Sequence, residues 1–180
     1  MLTSMTTTAW NFDNSHSSVG FNVRHMMIAK VHGSFSSWSG TLLLDTDDLT
    51  KSSVNVSVDI ASISTKDEKR DAHLKSADFF DVENTPTMTF VSTKVDKAGG
   101  DELAVHGDLT IRGITKPITL KVELGGEGKD PWGNTRRGFE GKATINRKDF
   151  GLSWNAALET GGVLVSEKVE IVVDVQAVKA

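Results

Sequence analysis

Histidine is the side chain best suited to moving a proton near neutral pH, and this chain carries five, at His16, His25, His32, His73 and His106. No two of them stand at metal-ligand spacing within one element. His25 shares strand parity with Val19, Phe21 and Val23, so it faces where they face. There it can donate a hydrogen bond to a ligand head, coordinate a metal or haem, or bond to a backbone carbonyl. His106 shares parity with Asp108 and Thr110 and is expected in solvent. Arg70 and His73 stand three apart, on one side of a helical turn. They can meet an anionic or hydroxyl head group if that helix covers a cavity, or form an ordinary solvated face.

Other chemistry finds no anchor. The sequence has no H-E-x-x-H, no G-x-S-x-G, no Walker loop and no G-x-G-x-x-G. Asp45, Asp47 and Asp48 begin like a calcium loop but lack its later glycine and glutamate, and read as a hairpin turn. With no cysteine among 180 residues, disulfide scaffolds, zinc-thiolate sites, iron–sulfur clusters and cysteine nucleophiles are excluded. A net charge of −4 argues against a nucleic-acid or anionic-membrane surface. No apolar run approaches the ~20 residues of a spanning helix. The Thr- and Ser-rich start, Met1 to Ala9, lacks the basic and apolar regions of an export signal. The chain therefore reads as cytoplasmic as written, or periplasmic if a leader has been removed.

The elements that must position these residues are strands. Val54, Val56, Val58 and Ile60 alternate with polar residues. The same period recurs at Val19–Val23, Leu103–Ile111, Ile118–Leu124, Phe139–Ile145 and Val169–Ala177. It recurs more weakly at Val31–Asp45 and Thr87–Val95, giving eight strands. Turn signals fall at Gly99-Gly100-Asp101, Arg112-Gly113, Gly125-Gly126 and Gly161-Gly162. One segment differs: Thr65-Lys66-Asp67-Glu68 fits a capping box, with a short helix to about Lys75.

An all-β fold of eight antiparallel strands favours a closed barrel, since closure removes unpaired edges. The helix, with Ala72, Leu74, Phe79 and Phe80, can cap one end. The inward Val, Ile and Leu residues, interrupted by Gly33, Gly107, Gly141 and Ala143, either pack together or surround a long apolar cavity. Gly125–Gly138, with Pro131 and Trp132, suits a mobile flap. Asn146–Gly162, with Arg147, Asp149, Phe150 and Trp154, is a second aromatic-bearing connection.

Several blocks carry a resemblance. They are Trp10-x-Phe12-Asp13-x-x-His16-Ser17 running to Val23-Arg24-His25, Val31-x-Gly33-x-Phe35, and Arg70-Asp71-x-His73-Leu74-x-Ser76-x-Asp78-Phe79-Phe80. Pro86–Ser92 with Phe90, Gly107–Pro117, and Arg147-x-Asp149-Phe150-Gly151 complete them. Together they resemble the YceI-like polyisoprenoid-binding family over nearly the whole chain from Trp10. The resemblance implies an extended, lipocalin-like eight-stranded barrel around an apolar tunnel holding an isoprenoid or another long-chain amphiphile. It implies a tail at residues 1–9 and a lipid-binding domain at 10–180. Family habit and long antiparallel strands together point to a homodimer.

The expected function is thus binding of a polyisoprenoid, isoprenoid quinone or fatty-acyl amphiphile for sequestration or transport, without catalysis, metal or cofactor. Two alternatives stay open: an enzyme acting on such a lipid through His25 or His73, or a b-type haem electron-transfer module on His25. The expected ligand-binding residues are Val19, Phe21, Val23, His25, Phe35, Leu42, Leu44, Val56, Val58, Arg70, His73, Phe79, Phe90 and Phe150. Arg70 and His73 would hold the polar head.

Overall fold

The computed structural model describes residues 7–26, 28–156 and 164–180. The turn expected at Gly161-Gly162 lies outside them. Eleven strands form one antiparallel sheet: β1 Thr7–Phe12, β2 Ser18–His25, β3 Ala29–Phe35, β4 Trp38–Asp45, β5 Ser53–Asp59, β6 Ile63–Ser64, β7 Thr87–Gly99, β8 Glu102–Ile111, β9 Ile114–Lys129, β10 Thr135–Asn146 and β11 Val165–Lys179. Among the described residues there is one α-helix, α1, which spans Glu68–Lys75.

The eleven segments make eight staves. β1 and β2 run in succession along the same strand, β11, through Phe12↔Ala177 and Phe21↔Ile171. β3 and β4 follow as the second stave, and β5 and β6 as the third. Strands β7 to β11 complete an up-and-down meander that closes on itself through β11. The fold is the closed eight-stranded antiparallel barrel with one short helix expected from the alternation.

Breaks in the first three staves fall at one level, and those of the first and third share a cause. Each of the 3₁₀ turns at Asn14–His16 and Ile60–Ser62 begins on an aspartate, Asp13 or Asp59, that accepts the amide two residues on. Asn14 Nδ2 donates to Trp38 O at 2.9 Å, and Ser37 N to Ser62 Oγ at 3.0 Å, fastening the breaks to each other. Each break resets the strand parity. Phe35 and Trp38 are both buried although three apart, as are Ile60 and Ile63. Period-two reading across such a break inverts inside and outside.

Three local readings change. The first strand begins at Thr7, so Thr7–Ala9 are barrel residues rather than tail. Gly125-Gly126 is a β-bulge inside the β9–β10 pair, where Arg137 faces Glu127 but Phe139 faces Leu124. The Gly125–Gly138 segment is therefore a long hairpin rather than a flap. Only its tip turns, with Asp130 accepting amides from Trp132 and Asn134 at 2.9 Å. The helix starts two residues later than the capping-box reading. Lys66 takes a left-handed φ of 61°, which removes Thr65 from cap geometry. Asp67 becomes the N-cap and accepts from Arg70 N at 3.1 Å.

Candidate functional site: an apolar cavity along the barrel axis

The inward residues surround a cavity of about 270 Å³ whose lining runs the length of the barrel. At the end that carries the chain termini it reaches Leu44, Ser52 and Ser53; at the opposite end it reaches Leu74, Phe79, Phe80, Arg147 and Leu152. A lining this long around a volume just below the ~300–1,000 Å³ of typical small-molecule sites describes a narrow bore. It suits a slim chain better than a bulky ring system.

Nearly all the lining is hydrocarbon. Of the expected contact residues, Val19, Phe21, Val23, Phe35, Leu42, Leu44, Val56, Val58, Phe79 and Phe90 line the cavity. His25, Arg70, His73 and Phe150 are not among its lining residues. His25 ends β2, paired with Ala29 and with Val165 beyond a register shift. Its parity matches that of Phe21, and its β11 partner Val165 lines the cavity, but the His25 side chain is not part of that lining. Phe150 is 1 % exposed and packs inside the wall.

Arg70 serves the helix instead of the cavity. Its Nε donates to Thr65 Oγ1 at 2.7 Å and its Nη2 to Thr65 O at 2.8 Å. The Thr65 hydroxyl donates in turn to Asp71 Oδ1 at 2.6 Å. The Thr65 that the sequence suggests as a cap thus becomes, buried at 5 % exposure, the hub that ties helix to strand.

An aromatic trio covers the helix end of the cavity. His73 packs edge-on against Trp154 at 4.7 Å and Phe79 at 5.1 Å, and Phe79 lies 5.4 Å from Trp154. His73 Nε2 also bonds Asp78 Oδ2 at 2.8 Å, which fixes the ring's orientation. Arg112 Nη1 donates to both Phe79 O and Gly151 O, joining the two connections that build this cover.

Arg147 is the one charged side chain among the described lining residues, and it is only 3 % exposed. Its Nε donates to Ser166 O at 2.8 Å, Nη1 to Leu152 O and to Trp154 O at 2.9 Å, and Nη2 to Val165 O at 3.2 Å. Its guanidinium carbon lies 6.0 Å from the Phe79 ring centre. Burial lowers its pKa, and the charge of Glu167 opposes that shift. Sequence reasoning left Arg147 in a loop. The signal was present, because 147 continues the inward parity of Phe139, Gly141 and Ile145.

A closed up-and-down barrel with a narrow apolar bore, covered at one end by a helix and an aromatic cluster, belongs to the lipocalin-like class of β-barrels. Within that class the family model of the YceI-like domain matches residues 10–177. The chain belongs to this family. Protein YceI of Salmonella newport is 38% identical over 167 residues, covering 93% of this chain and 84% of that protein. A UPF0312 protein of Pseudomonas aeruginosa is 37% identical over the same length and coverage. Among solved structures, BcnA of Burkholderia cenocepacia matches with a TM-score of 0.82 at 25% identity, over 92% of this chain and 99% of that chain. The Campylobacter jejuni YCEI protein matches with a TM-score of 0.76 at 31% identity, over 93% and 96%.

Proposed function

We propose that the protein is a non-catalytic carrier that holds one long-chain amphiphile, isoprenoid or fatty-acyl, lengthwise in the barrel for sequestration or transport. The observation that carries this reading is the nearly all-hydrocarbon lining from Leu44 to Leu74. A packed barrel core would close that bore, since interiors reach crystal-like density. Each methylene transferred from water into it contributes about 0.8 kcal/mol. A chain of ordinary lipid length therefore offsets the cost of association with few polar contacts.

The two alternatives lose their residues. An enzyme using His25 or His73 as acid or base needs that imidazole beside the bound chain, and neither lines the cavity. A haem module on an inward His25 meets the same objection, and the bore is narrow for a macrocycle. The deciding experiment is solvent extraction of protein purified from its own host, followed by mass spectrometry. One long-chain lipid per chain is the expected result. An empty extract together with no binding of any sixteen- to twenty-carbon probe would overturn the reading.

A further inference from the structure

A lipid carrier must also accommodate the polar end of its cargo, and the two ends of this bore differ in chemistry. At the terminus end the polar lining consists of Ser52 and Ser53, both neutral. At the helix end stands Arg147, and its electrostatic situation is unusual. Four carbonyl oxygens occupy four of the five N–H groups of a guanidinium. They satisfy hydrogen bonding, but carbonyl dipoles do not cancel a net charge. Among the described residues no carboxylate bonds Arg147. Glu167, the acidic group that acts on it through space, pairs with Lys148 at 2.8 Å and is half-exposed. A guanidinium keeps its proton at neutral pH even when desolvated. The cavity therefore ends on a buried cation with one N–H on Nη2 left over among the described partners.

A buried charge without a counter-charge is costly, and one partner of opposite sign relieves that cost. Two other arginines of this end are already engaged elsewhere: Arg70 on Thr65, and Arg112 on Phe79 O and Gly151 O. We propose that Arg147 is the head-group anchor of the cavity, and that the cargo is a single-chain amphiphile ending in a compact anion, a carboxylate or a phosphate, with its tail toward Ser52 and Ser53. This rests on the lipid-binding reading above and adds to it a head-group class and a direction. An ammonium head at the same place would meet like charge in a low-dielectric site, and an alcohol would receive the hydrogen bond without neutralising the cation.

The test compares head groups at constant chain length. Delipidated full-length protein is titrated at pH 8 with hexadecanoate, hexadecyl phosphate, hexadecanol and hexadecylamine below their critical micelle concentrations, and dissociation constants are read by calorimetry. The anions should bind about ten- to a hundredfold more tightly than the alcohol, the range of a charge-assisted hydrogen bond. The amine should be weakest. Arg147→Lys should keep the order, and Arg147→Gln should level anion with alcohol. Equal affinities for all four heads in the native protein would overturn the anchor and leave lipid binding standing. No binding of any of the four would overturn lipid binding and the anchor with it. If the Gln variant does not fold, the native panel and the Lys variant decide. An anion preference that persists in a folded Arg147→Gln protein overturns the assignment to this residue.

Discussion

The ring of Phe21 lies across Gly33, its direct partner on the neighbouring strand, so closely that a methyl group at position 33 would meet Phe21 Cζ at 2.2 Å. A diagonal version recurs at Gly107, whose direct partner is Ser92 and where an added methyl would meet Phe90 Cζ at 2.4 Å. Both phenylalanines line the cavity. Gly33 and Gly107 are thus seats for aromatic rings that form the bore's wall, whereas Gly141 lies against Val173. Glycine costs strand stability, and close approach is the reason to tolerate it here.

Gly33→Ala should therefore push Phe21 inward and destabilise the barrel by about 1–3 kcal/mol through overpacking. Denaturant unfolding measures this. Combining it with Phe21→Leu should recover part of the loss, because the shorter side chain vacates the contested volume. Additive losses in the double variant would show that the two positions are not coupled.

Arg70→Ala tests what the helix does. Removing the guanidinium frees Thr65 and loosens α1 from the third stave. Affinities for hexadecanoate and hexadecanol should then fall together, without a change in their ratio. Selective loss of the anion would place the head beside Arg70, as the sequence alone suggests, and away from Arg147.

The contrast between those two arginines shows how much of the site was readable beforehand. Period-two alternation located the inner face of most strands, because an antiparallel barrel repeats one simple rule and Val54–Ile60 or Leu103–Ile111 obey it throughout. The rule fails where parity resets, at Asp13–Ser17 and at Ser36-Ser37, and it does not say whether the last inward residue of a strand reaches the bore, as His25 does not although its partner Val165 does. The helix end was legible only as a region. Which of its polar groups faces the bore depends on the left-handed turn at Lys66 and on the fold-back of residues 147–154, which brings two carbonyls to Arg147 beside two from the start of β11. Strand parity marks position 147 as inward, but neither the turn nor the carbonyl cradle leaves a periodic signal.

Asp13 supplies a pH prediction. Its carboxylate accepts from Ser15 Oγ at 2.7 Å, from Arg136 Nη1 at 2.6 Å, and bonds His16 Nδ1 at 2.9 Å. Those bonds hold its pKa far below the usual carboxylate range. A folded-state pKa below the unfolded one contributes stability that is complete above roughly pH 4 and is lost as pH falls toward the folded value. The melting temperature of the native protein should fall below pH 4. Asp13→Asn should melt lower at pH 7 and lose less between pH 4 and pH 2. Parallel curves for the two proteins would show that Asp13 contributes no pH-dependent stability.

Val56→Trp distinguishes a bore from a core. Val56 sits midway along β5, paired with Gly40 and Phe90, and its side chain lines the cavity. Indole is far larger than isopropyl, and in a close-packed interior the extra volume would force off-rotamer side chains at a cost of about 1–3 kcal/mol or more. In an open bore the same ring occupies space that the ligand chain would otherwise fill. The variant should therefore keep a native β-sheet circular dichroism spectrum and an unfolding midpoint close to the parent's, yet lose long-chain probes by tenfold or more while shorter chains lose less. The length dependence is the informative part, since a plug partway down the bore spares a chain that stops short of it. A marked loss of stability, with no selective loss of long chains, would mean that the space around Val56 is filled in solution and that the apolar lining is a core.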